Sequence, residues 1–183
     1  TGGPRHLTTR NRAVTTPADL AGLKLRVPEI PVYVAAWRAL GASPTPMAFP
    51  EVFTALQQGT IDGQENPLGT IHGTRLHEVQ RFLVLTSHVR GNGWMIASER
   101  FWRSLTEADR QLLQQAVNDA AAHADQQIAR QEDELLTTLQ QRGMNVIRPD
   151  IRPFAETVLR EVPPRFADRW KPGLVDQILT TAG

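Results

Sequence analysis

The 183-residue sequence predicts an α/β fold with mostly parallel strand pairing, extended by a helix longer than a domain of this size is wide. Three observations lead to this prediction. Short strand-like and helix-like segments alternate through the first half of the chain. Residues 82–85 are all apolar, which is typical of a buried strand. Residues 106–142 contain neither glycine nor proline, which predicts one helix of roughly 50 Å.

The first forty residues predict a helical turn, a strand and a helix, in that order. Thr16 and Pro17 occupy the N-cap and first helical positions of a short helical turn, which ends at Gly22. Residues 23–27 then alternate between apolar and polar, which predicts a short strand. Residues 32–40 follow with a helical pattern. This order of elements favours a layered arrangement of helices on a sheet.

A second pair of elements follows. An extended segment ends at Phe49, and a helix begins at Pro50 and ends at Gly59. Residues 64–67 are polar and end in proline, and we interpret them as a loop at the start of a further helix that leads to the apolar strand at 82–85.

The second half of the chain predicts further elements around the long helix. A loop at 88–93 leads to an apolar strand at 94–97. After the long helix, residues 144–147 predict an edge strand, and residues 154–170 and 174–180 predict terminal helices.

The long helix begins with a capping box at Thr106 and Asp109 and ends before Gly143. A helix of this length must bridge two parts of a structure. Its alanine-rich middle allows close approach to a neighbouring element. The alternative is a helical hairpin that is broken near residues 123–127.

Composition and motifs exclude several classes of protein. The chain has 20 basic and 19 acidic residues, so nothing indicates a nucleic-acid partner. It has no cysteine, which excludes disulfides, cysteine-bound zinc and thiol nucleophiles. No apolar run is long enough to span a membrane. His72 and His77 are five residues apart, which is not the spacing of two metal ligands on one helix face. We expect neither a metal nor a cofactor.

Two features of the sequence carry chemistry suited to binding an anion, namely Arg26 and the polar segment 64–67. Arg26 stands near the end of a predicted strand, where ligands bind in open α/β sheets, and its guanidinium matches a carboxylate. Asn66 lies in the polar segment at the start of a helix, and Phe49 ends the extended segment before the helix that begins at Pro50. Taken by position alone, Arg26 could instead be a solvated surface residue, Asn66 a turn residue and Phe49 a core residue. Asp62 and Glu65 could serve as acid and base in a hydrolase.

Several segments together resemble a known family. Residues 41–59, GASPTPMAFPEVFTALQQG, and residues 61–67, IDGQENP, are similar to the signature of DctP-type solute-binding proteins of tripartite ATP-independent periplasmic (TRAP) transporters. Residues 19–28, DLAGLKLRVP, and residues 77–83, HEVQRFL, keep the order and spacing of that family.

The resemblance implies a periplasmic receptor that binds an organic acid, performs no chemistry and delivers its ligand to a membrane permease driven by an ion gradient. It implies that Arg26 clamps the ligand carboxylate, that Asn66 donates to the same group and that Phe49 packs on the ligand body. It also implies a further basic residue, which matches Arg5, although this chain has one residue more before the threonine pair than sialic-acid-type members have.

The resemblance further implies one part of a two-lobe clamshell whose N-terminal lobe is mostly missing. Residues 4–91 and 132–183 would form the second lobe, and residues 92–131 would be the remnant of the first lobe. Because this remnant would lack its packing partners, we expect a homodimer formed through residues 92–131.

Two other functions stay open on sequence grounds. One is a small α/β enzyme that acts on organic acids, with Asp62 or Glu65 as acid or base. The other is an interaction module without a ligand. Burial of Arg26 would argue against the interaction module.

Overall fold

The computed structural model describes residues 3–91 and 93–181, which form one mixed six-stranded sheet covered by helices. The strands are β1 (Arg5–Thr9), β2 (Lys24–Val27), β3 (Ser43–Pro46), β4 (Gly63–Pro67), β5 (Phe82–Val89) and β6 (Asn145–Ile147). The helices are α1 (Pro31–Ala39), α2 (Val52–Gln58), α3 (Leu68–Gly73), α4 (Glu99–Ser104), α5 (Glu107–Gln141), α6 (Arg152–Glu161) and α7 (Leu174–Thr181). Positions 92, 182 and 183, which fall within the predicted lobe ranges, lie outside the described residues.

The sheet has the strand order β3-β2-β4-β1-β5-β6. β2 pairs in parallel with β3 and β4, and β5 pairs in parallel with β6, whereas β1 runs antiparallel to β4 and β5. The predicted α/β class with mostly parallel pairing is confirmed. Because β1 runs against the other strands, its amino end lies where they have their carboxyl ends.

Each face of the sheet packs against its own set of helices. The first face is covered by α1 and α6 and contributes, with these helices, the buried residues Leu7, Leu25, Val84, Trp37 and Phe154. The second face is covered by α2, α3 and the carboxyl half of α5, with the buried residues Leu83, Leu56, Ile71 and Leu139. Both faces of the sheet are therefore excluded from water, as expected of a largely parallel sheet.

The interpretation of residues 64–67 as a loop was wrong. They belong to β4, which lies between β2 and β1 in the sheet. The polar side chains Gln64, Glu65 and Asn66 are buried there and are satisfied by hydrogen bonds to other side chains. A strand whose buried positions are polar lacks the apolar pattern that distinguishes strands from loops in a sequence.

Three other predictions differ from the structure. The predicted strand at 94–97 is absent: Trp94 is 81% exposed and Ile96 is 90% exposed, and these residues have no strand partner in the described part of the chain. β5 continues beyond residue 85 to Val89, so the predicted loop begins too early. The predicted helix at 154–170 is interrupted after Glu161, because Pro163 cannot continue the helical hydrogen bonds.

The long helix is confirmed as one continuous helix. α5 runs for 35 residues, about 50 Å, so the hairpin alternative was wrong. It ends before Gly143, whose φ of 93° is a left-handed conformation that favours glycine. Only its carboxyl half packs on the sheet: Leu139 is fully buried, whereas Leu112 is 71% exposed. The edge strand predicted at 144–147 is confirmed as β6.

Candidate functional site

The candidate site lies at the end of the sheet where β2, β4 and β5 finish and β1 begins. Arg26 is the third residue of β2, Asn66 is near the end of β4, and Arg5 is the first residue of β1. Phe49 is the third residue after β3 and begins a short 3₁₀ turn. The fold thus brings the four predicted site residues to one end of the sheet, where open α/β sheets bind ligands.

The Arg26 guanidinium is buried without an acidic partner. The residue is only 4% exposed, and its Nε and Nη2 atoms donate to the Met47 carbonyl at 2.9 and 2.6 Å. Among the described residues, Arg26 takes part in none of the ion pairs. Burial lowers the pKa of Arg26, although the nearby Glu65 carboxylate opposes this effect. A buried cation without a counter-charge is costly, and this arrangement favours an anionic ligand.

The Phe49 ring lies beside this guanidinium. The Arg26 Cζ atom is 5.7 Å from the ring centroid, within the range of a cation–π contact. Phe49 is 38% exposed, so it is not a core residue, which is the role that phenylalanine usually has. Its exposed face is therefore accessible to solvent beside the Arg26 guanidinium.

The second arginine, Arg5, is already paired within the chain. Its Nε donates to Glu65 Oε2 at 2.5 Å, and its Nη2 donates to Glu65 Oε1 at 2.9 Å and to Asn66 Oδ1 at 3.0 Å. The Arg5 guanidinium also lies 5.8 Å from the Tyr33 ring centroid. Burial alone would lower the pKa of Arg5, but the hydrogen bond to Glu65 and the charges of Glu65 and Tyr33 together outweigh burial, and the pKa is raised.

Glu65 is the buried centre of this cluster. Its side chain is 0% exposed, and its Oε2 also accepts a hydrogen bond from His88 Nε2 at 2.9 Å. Burial would raise the pKa of Glu65, but the hydrogen bonds from His88 and Arg5 outweigh it, and the pKa lies below its ordinary value. Glu65 is therefore an ionised acceptor rather than a general acid.

His88 reaches Glu65 because β5 is irregular. Arg5 lies opposite Val89 while Leu7 lies opposite Val84, so β5 accommodates extra residues between these positions. Such a bulge redirects a side chain. The ring of His88 is further held by Thr86 Oγ1, 2.7 Å from His88 Nδ1, and by the edge of Trp37.

Asp62 and Glu65 do not form a catalytic pair. Asp62 precedes β4, and its Oδ2 accepts from the backbone N–H of Lys24 at 2.9 Å, at the opposite end of the strand from Asn66. Asp62 and Glu65 are three residues apart, so their Cα atoms are separated by about 10 Å along the extended chain. Glu65 is also fully engaged by Arg5 and His88.

Sequence reasoning missed several residues of this cluster. It assigned no strand to Arg5–Thr9, whose only large apolar residue is Leu7, and so it did not place Thr8 beside Gln64. His88 was interpreted as a loop residue, and no local signal connects it to Glu65, 23 positions earlier.

Within the described residues, no three His, Asp or Glu side chains stand close enough to hold a metal ion. No helix in this part of the chain has the length and hydropathy of a membrane span.

Comparison with known proteins places this chain in a family. The model for DctP, the bacterial extracellular solute-binding protein family 7, matches residues 1–167. The sialic acid-binding periplasmic protein SiaP of Vibrio cholerae is 41% identical over 151 residues, which is 82% of this chain and 47% of that protein. The chain spans about half the length of the curated relatives it matches.

Solved structures give the same result. A TRAP periplasmic solute-binding protein from Roseobacter denitrificans with bound L-galactonate is 41% identical, with a TM-score of 0.73 over 91% of this chain and 57% of that chain. Another from the same organism, with bound 3-deoxy-D-manno-oct-2-ulosonic acid (KDO), is 37% identical, with a TM-score of 0.85 over 97% of this chain and 60% of that chain. These matches confirm the fold as that of TRAP solute-binding proteins, with about half of their chain present. The chain belongs to the DctP family of bacterial extracellular solute-binding proteins.

Proposed function

We propose that this chain is the carboxylate-binding part of a receptor for an organic acid. Arg26 would clamp the ligand carboxylate, Asn66 would donate a hydrogen bond to the same group, and Phe49 would pack on the ligand body. The observation that carries this proposal is the Arg26 guanidinium, 4% exposed and without an acidic partner among the described residues. Burial of Arg26 also argues against an interaction module without a ligand.

The ligands of similar proteins support the same class of substrate. Sialic acid, L-galactonate and KDO, named for three of the relatives, are all sugar acids with one carboxylate. A single unpaired guanidinium suits one carboxylate, because two parallel hydrogen bonds satisfy both groups.

Arg5 would act differently from Arg26. Because Glu65 already neutralises Arg5, this second arginine adds no unpaired charge to the site. Its Nη2 atom donates to Asn66 Oδ1 and so holds the Asn66 amide in place. We therefore assign Arg5 to the binding site chiefly as the residue that orients Asn66.

The lobe assignment is part of this proposal. Residues 4–91 and 132–183 would be the second lobe of a clamshell, and residues 92–131 would belong to the first lobe, with α5 bridging the two. The exposure of apolar side chains between residues 92 and 131 supports this division. More than two-thirds of each is exposed for Trp94 (81%), Met95 (77%), Ile96 (90%) and Leu112 (71%).

The wider setting follows from the family. Its members are solute-binding receptors, and similar proteins are named as periplasmic. We propose that this protein works in the periplasm, passes its ligand to the permease of a TRAP transporter and catalyses no reaction. The enzyme alternative has less support, because Asp62 and Glu65 are apart and Glu65 is held as a carboxylate.

We expect the 183-residue chain alone to bind carboxylates only at millimolar concentration or not detectably. The chain alone can contact a ligand only from one side and leaves the rest of it in water, whereas a site enclosed by two lobes surrounds the ligand and excludes water. The test is calorimetric titration of L-galactonate, sialic acid and KDO into the chain and into a two-lobe form. In the two-lobe form, the chain is joined to the amino-terminal part of the Roseobacter denitrificans relative. Micromolar affinity of the chain alone would contradict the need for a second lobe.

We also expect the isolated chain to form a homodimer through residues 92–131, because their exposed apolar side chains can be buried against a second copy. Light scattering should give twice the 20.4 kDa chain mass at micromolar concentration. Ile96→Ser should yield the monomer, whereas Ile178→Ser, on α7, should not. A monomer with slow amide exchange throughout residues 94–128 would contradict the prediction.

A further inference from the structure

Four buried polar side chains form a continuous chain of hydrogen bonds that ends at Asn66. Thr8 Oγ1 donates to Gln80 Oε1 at 3.0 Å, Gln64 Nε2 donates to Thr8 Oγ1 at 2.9 Å, and Asn66 Nδ2 donates to Gln64 Oε1 at 2.5 Å. Thr8 and Gln64 are 0% exposed, and Gln80 and Asn66 are 4 and 6% exposed. Polar groups this deep in a sheet are costly unless each finds a partner. We call these four residues the relay.

The groups at the two ends of the relay determine which side chain donates and which accepts in each of its hydrogen bonds. At one end, Gln80 Nε2 donates to the Val79 carbonyl, which can only accept, so Gln80 Oε1 is left to accept from Thr8. At the other end, the Arg5 guanidinium can only donate, so Asn66 must present Oδ1 to it.

The two middle residues, Thr8 and Gln64, have their donors and acceptors set in the same way. The Thr8 hydroxyl has one hydrogen, which goes to Gln80, so Thr8 must accept from the Gln64 amide. Gln64 Oε1 then faces Asn66 and accepts from its Nδ2. Reversing any one amide would set two donors or two acceptors against each other in a buried site, so the members act together.

We propose that Thr8 and Gln64 are positioning residues that hold the Asn66 amide with its nitrogen turned away from Arg5. In this orientation Oδ1 and one N–H are occupied, and the remaining N–H is the hydrogen-bonding group that Asn66 can offer to a ligand. The site would then present a donor, which suits an anion, rather than a carbonyl, which repels one. This inference rests on the proposed function in assigning that donor to the ligand.

Two substitutions of Thr8 separate positioning from packing. Thr8→Ser keeps the hydroxyl and loses a methyl group, whereas Thr8→Val keeps the volume and loses the hydroxyl. If Thr8 works through the relay, valine should disturb Asn66 and serine should not. If Thr8 matters only for packing, serine should be the more harmful change because it leaves a cavity.

The first measurement is solvent exchange of the Asn66 side-chain NH₂ by NMR, on the 183-residue chain. Loss of one hydrogen bond in the relay should speed this exchange about five-fold in Thr8→Val, with less than about two-fold change in Thr8→Ser. The Leu25 backbone amide, in the neighbouring β2, reports any change in global stability. Unchanged Asn66 exchange in Thr8→Val, or a larger effect of serine than of valine, would overturn the relay.

The second measurement is calorimetric titration of L-galactonate, sialic acid and KDO into the two-lobe form. Thr8→Val should weaken binding about five-fold, Thr8→Ser should not, and Asn66→Ala should abolish the difference between them. An equal valine effect with and without Asn66 would overturn positioning through Asn66. If Arg26→Lys leaves affinity unchanged, the proposed carboxylate clamp fails, whereas the NMR result still decides whether the relay orients Asn66.

Discussion

Arg26→Lys in the two-lobe form is expected to weaken carboxylate binding by about 3–5 kcal/mol, the cost of breaking a buried charge pair. Arg26 already uses Nε and Nη2 to hold the Met47 carbonyl and still has donors for a ligand. Lysine has one ammonium group on a flexible stem and cannot reproduce this planar set of donors. Lysine keeps the positive charge, so a loss of affinity would report the geometry of the guanidinium donors rather than the charge. Calorimetric titration of L-galactonate, sialic acid and KDO measures the effect.

Two comparisons make the Arg26 result specific. Asn66→Ala removes a neutral donor and should cost less, about 1–3 kcal/mol. Arg38→Lys, at an exposed position on α1, should leave affinity unchanged. Affinity of Arg26→Lys within about three-fold of the unaltered protein, which is less than 1 kcal/mol, would remove Arg26 from the proposed site.

The second large effect is on folding. Glu65→Gln is expected to lower the free energy of unfolding by about 3 kcal/mol, because it removes the negative partner of Arg5 from a buried position. We place it at the lower end of the range for buried pairs because the Arg5 and His88 side chains are 19 and 21% exposed. Urea unfolding of the chain measures this. Glu78→Gln breaks the exposed pair with Arg75 and should cost about 0–1 kcal/mol.

Lowering the pH tests the same pair in a second way. Because the pKa of Glu65 is lower in the folded chain than in the unfolded chain, its stabilisation is present above the unfolded pKa. It is lost as the pH falls through the folded pKa. The difference in unfolding free energy between the unaltered chain and Glu65→Gln should therefore shrink in acid. If the difference in unfolding free energy stays constant as the pH falls through the folded pKa of Glu65, the Glu65 charge does not stabilise the fold.

Local sequence patterns account for much of the fold. The alternation at residues 23–27 predicted β2, and the run without glycine or proline predicted α5 as a single helix. The same reasoning failed for β1 and β4, because their buried positions carry His6, Thr8 and Gln64 rather than apolar residues. These side chains are stable in the core through cross-strand hydrogen bonds, which depend on residues far along the chain.

The sequence predicted the end of the sheet at which Arg26 and Asn66 lie, but not which charged side chains pair with each other. Arg26 and Asn66 stand in segments that resemble the family, and both lie at the predicted end of the sheet. Which arginine Glu65 neutralises could not be read from spacing, because it depends on the antiparallel insertion of β1 beside β4. The same insertion sets Arg5 against Glu65 and leaves Arg26 unpaired among the described residues.

A crystal structure of the two-lobe form would test the central claim most directly. The crystals should be grown with whichever of L-galactonate, sialic acid and KDO raises the melting temperature most. We predict that the ligand carboxylate lies within hydrogen-bond distance of the Arg26 guanidinium, with the Asn66 side-chain nitrogen donating to the same group and the Phe49 ring against the ligand body. A ligand whose carboxylate is bound elsewhere, with Arg26 still bonded only to the Met47 carbonyl, would contradict the proposal that Arg26 is the carboxylate clamp.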